Sequence, residues 1–196
     1  MSKADIIRNY RDRFAKYGPG PEGVQYADRA SHFARFEVIS GIDPEMTSVL
    51  DVGCGLGDFC HFLRARGNEA RYHGVDIVPE FIDRAKEVFS EDSAATVSLL
   101  DAELDTLPVG HDYAVLSGVF NNAMEDNWGF MTRTLRQMWQ AADKGISFNA
   151  MSTYVDYQDP ALFYVDPMDV FAFCKSELGG HPVLRHDYSV RPGGFP

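Results

Sequence analysis

The chain has 196 residues, of which 45% are apolar, and this size and composition fit one domain with a substantial core. Its 29 acidic and 18 basic residues give a net charge of −11, which repels phosphate backbones and excludes nucleic acid as an expected partner. Because no apolar run reaches bilayer-spanning length and the charged N-terminus has no signal-peptide core, we expect a cytoplasmic protein without membrane contact.

The first 40 residues predict a helical cap that precedes the main fold. Glycines and prolines at 17–23 interrupt a first helical segment, because neither residue type continues a helix. A second helix is predicted at 28–39, where Phe33 and Phe36 are placed at helical spacing.

The rest of the chain, 46–196, alternates short apolar strands with amphipathic helices. The predicted strands lie at 48–52, 72–77, 96–100, 112–120, 146–151 and 183–190. The predicted helices lie at 59–67, 79–89, 126–145 and 166–180. This alternation predicts a doubly wound, mostly parallel α/β sheet of Rossmann-like type with helices on both faces, in one domain with the N-terminal cap.

Three alternate glycines follow the first predicted strand, in the stretch VLDVGCGLGDF at 49–59. Gly53, Gly55 and Gly57 indicate a ligand that lies directly against the backbone, beyond the carboxyl end of that strand. A dinucleotide fingerprint requires a further glycine where the chain has Asp58, whose carboxylate would repel a pyrophosphate at the helix N-terminus. No Lys-Ser or Lys-Thr pair follows, so a P-loop is excluded. The loop therefore predicts a ligand without phosphate.

The same stretch resembles the first motif of class I S-adenosylmethionine-dependent methyltransferases, an acidic residue followed by G-x-G-x-G. GVDIVPEFIDRAKE resembles their second motif and LLDAELDTLP their third, and together the resemblance covers about 49–148. The chain is also similar to small bacterial methyltransferases with a YGPGP lead and an SGVFN strand. The resemblance implies S-adenosylmethionine as methyl donor, S-adenosylhomocysteine as product and a small-molecule acceptor.

The resemblance also implies roles for carboxylates at the strand ends. Asp51 would bind the cofactor's ammonium group directly or through water, unless loop N–H groups satisfy the carboxylate. Asp76, 23 residues after Gly53, would accept from ribose hydroxyls or form an Asx turn. Asp101 would accept from the adenine amino group while the Ala102 N–H donates to the ring, or it is a turn aspartate. The predicted cofactor-binding residues are Asp51, Gly53, Gly55, Gly57, Asp76, Ile77, Asp101, Ala102 and Ser117.

The acceptor is expected beyond the fourth strand. Asn121 and Asn122 lie there and either contact the acceptor or cap the next helix. The aromatic connection at 151–167 predicts a lid that carries Tyr154 and Tyr157 to the acceptor, or a loop that these rings pack down. The absence of a D/N-P-P-Y/F motif argues against adenine or glutamine amino groups as acceptors.

No catalytic base is assigned, because methyl transfer chiefly requires alignment of donor and nucleophile. Only His32 among the six histidines is expected to reach the cleft, with a surface position as the alternative. The three cysteines show no metal spacing and no disulfide framework, so we expect reduced thiols and no metal site.

The sheets of related enzymes end in an antiparallel pair of strands, whereas this chain ends soon after its sixth predicted strand. We therefore expect the final antiparallel strand to be missing and the unpaired sheet edge to permit a homo-oligomer. The missing strand and the unassigned catalytic base favour an alternative function, a methyltransferase-like binding or scaffolding protein without turnover. A nicotinamide oxidoreductase ranks third because of Asp58.

Overall fold

The structure is a computed structural model that describes residues 1–19 and 29–188. Its helices are α1 (Lys3–Tyr17), α2 (Arg29–Ser40), α3 (Asp58–Ala65), α4 (Pro79–Val88), α5 (Asn127–Ala141) and α6 (Pro167–Ser176), with a 3-10 turn at Val119–Asn121. Its strands are β1 (Ser48–Val52), β2 (Arg71–Asp76), β3 (Ala95–Leu99), β4 (His111–Leu116), β5 (Ala142–Phe148), β6 (Met151–Ser152) and β7 (Tyr164–Val165).

Five strands form one parallel sheet in the order β3-β2-β1-β4-β5, and β6 pairs with β7 in a separate parallel ribbon. In the five-stranded sheet, α3 connects β1 to β2, α4 connects β2 to β3 and α5 connects β4 to β5, and each of these pairs is parallel. Successive residues of β1 point to opposite faces: Val49 joins one buried cluster with Phe62, and Leu50 joins another with Leu135. The doubly wound α/β fold predicted from the sequence is confirmed.

Local signals in the sequence set most helix ends. Ser2 and Asp5 form a reciprocal capping box at the start of α1. Pro79 occupies the first turn of α4, and Asp166 caps α6 by accepting from the Met168 N–H. α1 ends at Tyr17, within the predicted interruption; the rest of that interruption and the predicted start of the second helix, residues 20–28, lie outside the described residues.

Two predicted boundaries at the end of α5 are wrong. The helix ends at Ala141 rather than at Gly145, and β5 begins at once with Ala142. Gly145 pairs with Tyr113 inside the sheet, so parallel pairing with β4 determines the boundary rather than the glycine. Here the hydrogen bonds between β5 and β4 outweigh the local preference of this segment for a longer helix.

The predicted sixth strand is also wrong for the part of it that is described. Residues 183–188 form no strand, and Val183 is 82% exposed, so this segment has no neighbouring strand to bury its apolar side chains. Its last two residues, and the chain to 196, lie outside the described part. The missing antiparallel strand is confirmed for the described residues, where the parallel ribbon of β6 and β7 follows β5 instead.

Among the helices of the described ranges, none combines the length and apolarity that crossing a bilayer demands.

Candidate functional site

A cavity of about 540 Å³ lies beyond the carboxyl ends of the central strands, where ligands of doubly wound sheets bind. Its volume is in the range of small-molecule sites. Residues of α1 and α2 also line it. Of the residues predicted for the site, the following line it: Asp51, Gly53, Gly55, Asp76, Ile77, Asp101, Ala102, Ser117, Asn121 and Asn122.

The three alternate glycines have different physical roles. All have positive φ: 74° at Gly53, 56° at Gly55 and 84° at Gly57. A Cβ at Gly53 would collide with the Val119 side chain, and one at Gly57 would collide with the Phe89 ring. Gly57 therefore serves packing and does not line the cavity, whereas Gly55 lies in the cavity wall at the middle of the loop.

Asp51 is a buried carboxylate at the cavity wall, with 4% of the residue exposed. The Tyr72 hydroxyl donates to its Oδ2 at 2.7 Å, so its partner is a side chain rather than the loop N–H groups considered in the sequence. Burial above all, together with the charges of Asp76 and Asp58, raises the pKa of Asp51 to about 7, although the Tyr72 hydrogen bond lowers it. A cation at this wall would relieve the excess negative charge.

Asp76 holds the glycine loop in place. Its Oδ2 accepts from the Gly55 N–H at 2.8 Å, and its Oδ1 accepts from the Val78 N–H at 2.9 Å. The second bond is the Asx turn that the sequence left open. Burial raises the pKa of Asp76 although these N–H groups lower it. A carboxylate has about four acceptor sites, so two hydrogen bonds leave capacity for ligand hydroxyls.

Asp101 is paired with the N-terminal helix. Lys3 Nζ lies 3.0 and 2.8 Å from its two carboxylate oxygens and 2.6 Å from Glu103 Oε2. The Glu103 N–H also donates to Asp101 Oδ1 at 3.0 Å, so the turn aspartate anticipated as an alternative is present. Burial lowers the pKa of Lys3, but its hydrogen bonds to the two carboxylates outweigh this and raise it. No local sequence signal indicates Lys3 as a site residue, because it lies 98 residues from Asp101 in the chain.

Hydrogen bonds fix the two asparagines beyond β4, and neither caps α5. The Asp126 side chain caps that helix by accepting from the Gly129 N–H at 3.0 Å. Asn122 Nδ2 donates to the Tyr10 hydroxyl at 3.3 Å, which joins α1 to the segment that follows β4. The Asn121 carbonyl accepts from the Phe163 N–H at 2.9 Å.

The predicted lid tyrosines do not reach the cavity. Tyr154 is 63% exposed and Tyr157 is 75% exposed, and neither lines the cavity. Pairing of β6 with β7 brings the two ends of the connection together, and both tyrosines lie on its outgoing half. Asp159 and Leu162, from the returning half of the connection, line the cavity instead.

His32 is buried at the cavity wall, so the surface position considered in the sequence is wrong. Its ring lies 4.2 Å from that of Phe36, and Nδ1 lies 3.8 Å from Asp58 Oδ2. Burial lowers the pKa of His32 to about 3, with a further contribution from the charge of Arg35. The imidazole is therefore neutral at pH 7.

Comparison with known proteins identifies sequences similar to this chain. Residues 49–145 match the family model described as a methyltransferase domain. The chain is 32% identical over 159 residues to methyltransferase Rv1506c of Mycobacterium tuberculosis, covering 78% of this chain and 92% of that protein.

Solved structures resemble the fold at lower identity. The S-adenosylmethionine-dependent methyltransferase SibL, in its apo form, superposes with a TM-score of 0.67 at 19% identity, over 97% of this chain and 62% of that one. The magnesium protoporphyrin IX methyltransferase of Synechocystis PCC 6803, with bound S-adenosylhomocysteine, gives 0.59 at 15% identity over 86% and 85%. At these identities the structural likeness establishes the fold alone.

Proposed function

Since this chain belongs to the class I S-adenosylmethionine-dependent methyltransferases, we propose that it transfers the methyl group of S-adenosylmethionine to a small-molecule acceptor in the cavity beyond β1 and β4. Buried Asp51, facing a cavity lined by further carboxylates, is the observation that carries this proposal.

The charges of the cavity fit this cofactor. S-adenosylmethionine carries a sulfonium and an ammonium group and no phosphate. Asp51, Asp58 and Asp76 all line the cavity, and the charges of Asp58 and Asp76 raise the pKa of Asp51, so a cationic ligand would relieve the repulsion among them. A phosphate-bearing cofactor would increase it, which argues against the nicotinamide dinucleotides.

Different residues of the cavity wall are assigned to different parts of the cofactor. Gly55 has no side chain and a positive φ, so it permits a ligand to approach the backbone. We assign the ammonium group to Asp51, the ribose hydroxyls to Asp76 and the adenine ring to Asp101 and Ala102. When bound, the cofactor supplies a methyl group activated by its sulfonium.

Alignment rather than proton removal is the contribution we assign to the acceptor end. Burial raises the pKa of Tyr10, so its hydroxyl stays protonated beside Asn122 and can hydrogen-bond an acceptor. His32 is a weak base, because burial lowers its pKa to about 3. These groups suit an acceptor whose nucleophilic atom can attack the methyl group without first losing a proton.

Calorimetric titration with S-adenosylhomocysteine tests cofactor binding. We expect saturable one-to-one binding by the natural chain and none by Asp51→Asn, whose side chain has lost the negative charge. Asp43→Asn is the matched control, because Asp43 also accepts from a tyrosine, Tyr113, and does not line the cavity. No binding by the natural chain would refute the proposal.

A turnover assay separates transfer from binding alone. Purified protein is incubated with S-adenosylmethionine and a panel of metabolites, and S-adenosylhomocysteine release is measured with and without each acceptor. Acceptor-dependent release supports methyl transfer. Tight cofactor binding with no release from any acceptor supports the alternative, a methyltransferase-like binding protein, which the weak basicity of His32 favours.

A further inference from the structure

We propose that Tyr72 is a positioning residue of the cofactor site, whose hydroxyl holds one oxygen of Asp51 so that the other receives the cofactor's ammonium group. This inference rests on the proposed function, because it assigns a cofactor to the cavity. It adds a residue that lies outside the cavity lining and has no contact with the cofactor in the proposed arrangement.

Strand register creates the Tyr72–Asp51 pair. β1 and β2 run parallel, with Val49 opposite Tyr72 and Asp51 opposite Gly74. Side chains two residues apart on a strand share a face, so Tyr72 and Asp51 project to the same side of the sheet. The tyrosine side chain spans the two-residue offset and donates to Asp51 Oδ2 at 2.7 Å.

Gly74 provides the space for this contact. A Cβ at Gly74 would lie 2.9 Å from the Tyr72 hydroxyl oxygen and 2.8 Å from Cys54 Sγ. Tyr72 itself is fully buried, with its ring 6.2 Å from that of Phe89. The hydroxyl is therefore fixed beneath the glycine loop before any ligand arrives, which is the preorganisation that binding sites require.

Asp51 presents its second oxygen to the cavity. Among the described residues, the carboxylate of Asp51 accepts a hydrogen bond at Oδ2 and none at Oδ1, and the residue lines the cavity wall. One oxygen fixed and one open is the arrangement that a carboxylate needs to receive an ammonium group in a defined direction.

The surroundings of Asp51 make the Tyr72 hydrogen bond matter near neutral pH. The ionisable groups that face it are Asp76 at the end of β2, Asp58 at the start of α3, Cys54 in the loop, Cys60 on α3 and Tyr72 on β2. Burial and the charges of the two aspartates raise the pKa of Asp51, the Tyr72 hydrogen bond lowers it, and the net result is a pKa of about 7. Burial also raises the pKa of both thiols, so they stay neutral.

Asp51 is consequently about half ionised at pH 7, and an ammonium group binds its ionised form. Binding of the cofactor should therefore release about half a proton at that pH. Without the Tyr72 hydroxyl, the protonation equilibrium of Asp51 shifts by about tenfold toward the neutral acid. The ionised fraction at pH 7 then falls to about one tenth.

Tyr72→Phe tests this reasoning, with S-adenosylhomocysteine as the probe. At pH 7 we expect its affinity to fall about fivefold and its binding to release about 0.9 of a proton, measured calorimetrically in two buffers of different ionisation enthalpy. Between pH 5.5 and 8.5 the affinity ratio of variant to natural chain should approach one as pH rises. The ligand's own amine titrates identically in both proteins and cancels in that ratio.

Tyr113→Phe is the matched control. Tyr113 lies on β4, and its hydroxyl donates to Asp43 Oδ2 at 3.1 Å, so the variant removes an equivalent bond outside the cavity. Its affinity and proton release should equal those of the natural chain. An affinity loss in Tyr72→Phe that is the same at every pH would indicate a merely structural role and overturn the inference, as would an unchanged pH profile.

Failure of the proposed function has a different signature. If the natural chain does not bind S-adenosylhomocysteine, the cofactor assignment fails and the inference fails with it. If the natural chain binds but Tyr72→Phe behaves like Tyr113→Phe, only the role of Tyr72 fails. Should Tyr72→Phe not fold, a carboxyl ¹³C NMR titration of the natural chain decides: an ordinary aspartate pKa at Asp51 refutes the inference.

Discussion

Replacing Asp51 by asparagine should stabilise the ligand-free protein while it abolishes cofactor binding. Burial raises the pKa of Asp51 from 3.8 to about 7 on folding. One pKa unit corresponds to about 1.4 kcal/mol, so ionised Asp51 costs the folded state about 4 kcal/mol above pH 7. Asparagine is uncharged and keeps an oxygen for the Tyr72 hydroxyl. Its buried amide N–H groups cost about 1–3 kcal/mol, which leaves a net gain of about 1–3 kcal/mol.

The pH dependence of this gain identifies its cause. The folded-state pKa is raised, so the natural chain is free of the penalty below the unfolded pKa of 3.8 and acquires it as pH rises toward about 7. The advantage of Asp51→Asn should therefore be about 2–3 kcal/mol larger at pH 8 than at pH 5. Urea denaturation followed by circular dichroism measures both free energies of unfolding. An advantage of equal size at both pH values, or a loss of stability at pH 8, would refute the reasoning.

Three further predictions follow from other walls of the cavity. Gly55→Ala should abolish S-adenosylhomocysteine binding in calorimetry and lower the free energy of unfolding by about 1 kcal/mol. Gly57→Ala should lower the free energy of unfolding by about 1–3 kcal/mol, because its Cβ collides with Phe89, but the folded variant should still bind. Lys3→Met removes the ion pairs that hold α1, part of the cavity wall, to Asp101 and Glu103, so surface plasmon resonance should show faster dissociation of the ligand. Because the pairs are partly exposed, thermal stability should change little. Burial lowers the pKa of His32 to about 3, so its contribution to stability is complete above pH 6.5 and is lost as pH falls; His32→Leu should flatten that decline in urea titrations.

The parts of the fold that depend on periodicity and local chemistry were predictable. Alternating apolar strands and amphipathic helices indicated the sheet, and Asp166 and Pro167 indicated the start of α6. The strand predicted at 183–190 failed because an apolar run forms a strand only where a partner strand is available. Val183 has none, and the described part of that segment is exposed.

The parts of the site that depend on register were not predictable. Asp51 could be proposed for the site because it ends a strand before a glycine loop, yet its partner Tyr72 is defined only when β1 and β2 are aligned. Once the register is known, a tyrosine followed two residues later by Gly74 on the same face is a readable signal. Lys3 is harder still, because α1 is placed by packing that no local pattern specifies.

The glycine spacing that first indicated a ligand combines two requirements that the sequence cannot separate. Gly53 and Gly57 leave room for Val119 and Phe89, so two of the three glycines are needed for packing, whether or not a ligand binds. Those contacts hold the loop in its left-handed turns, and the bond from Gly55 to Asp76 fixes its centre. Packing alone therefore explains Gly57, whereas Gly53 and Gly55 also lie in the cavity wall. A glycine in such a loop therefore indicates a ligand most clearly where no neighbouring side chain already requires the missing Cβ.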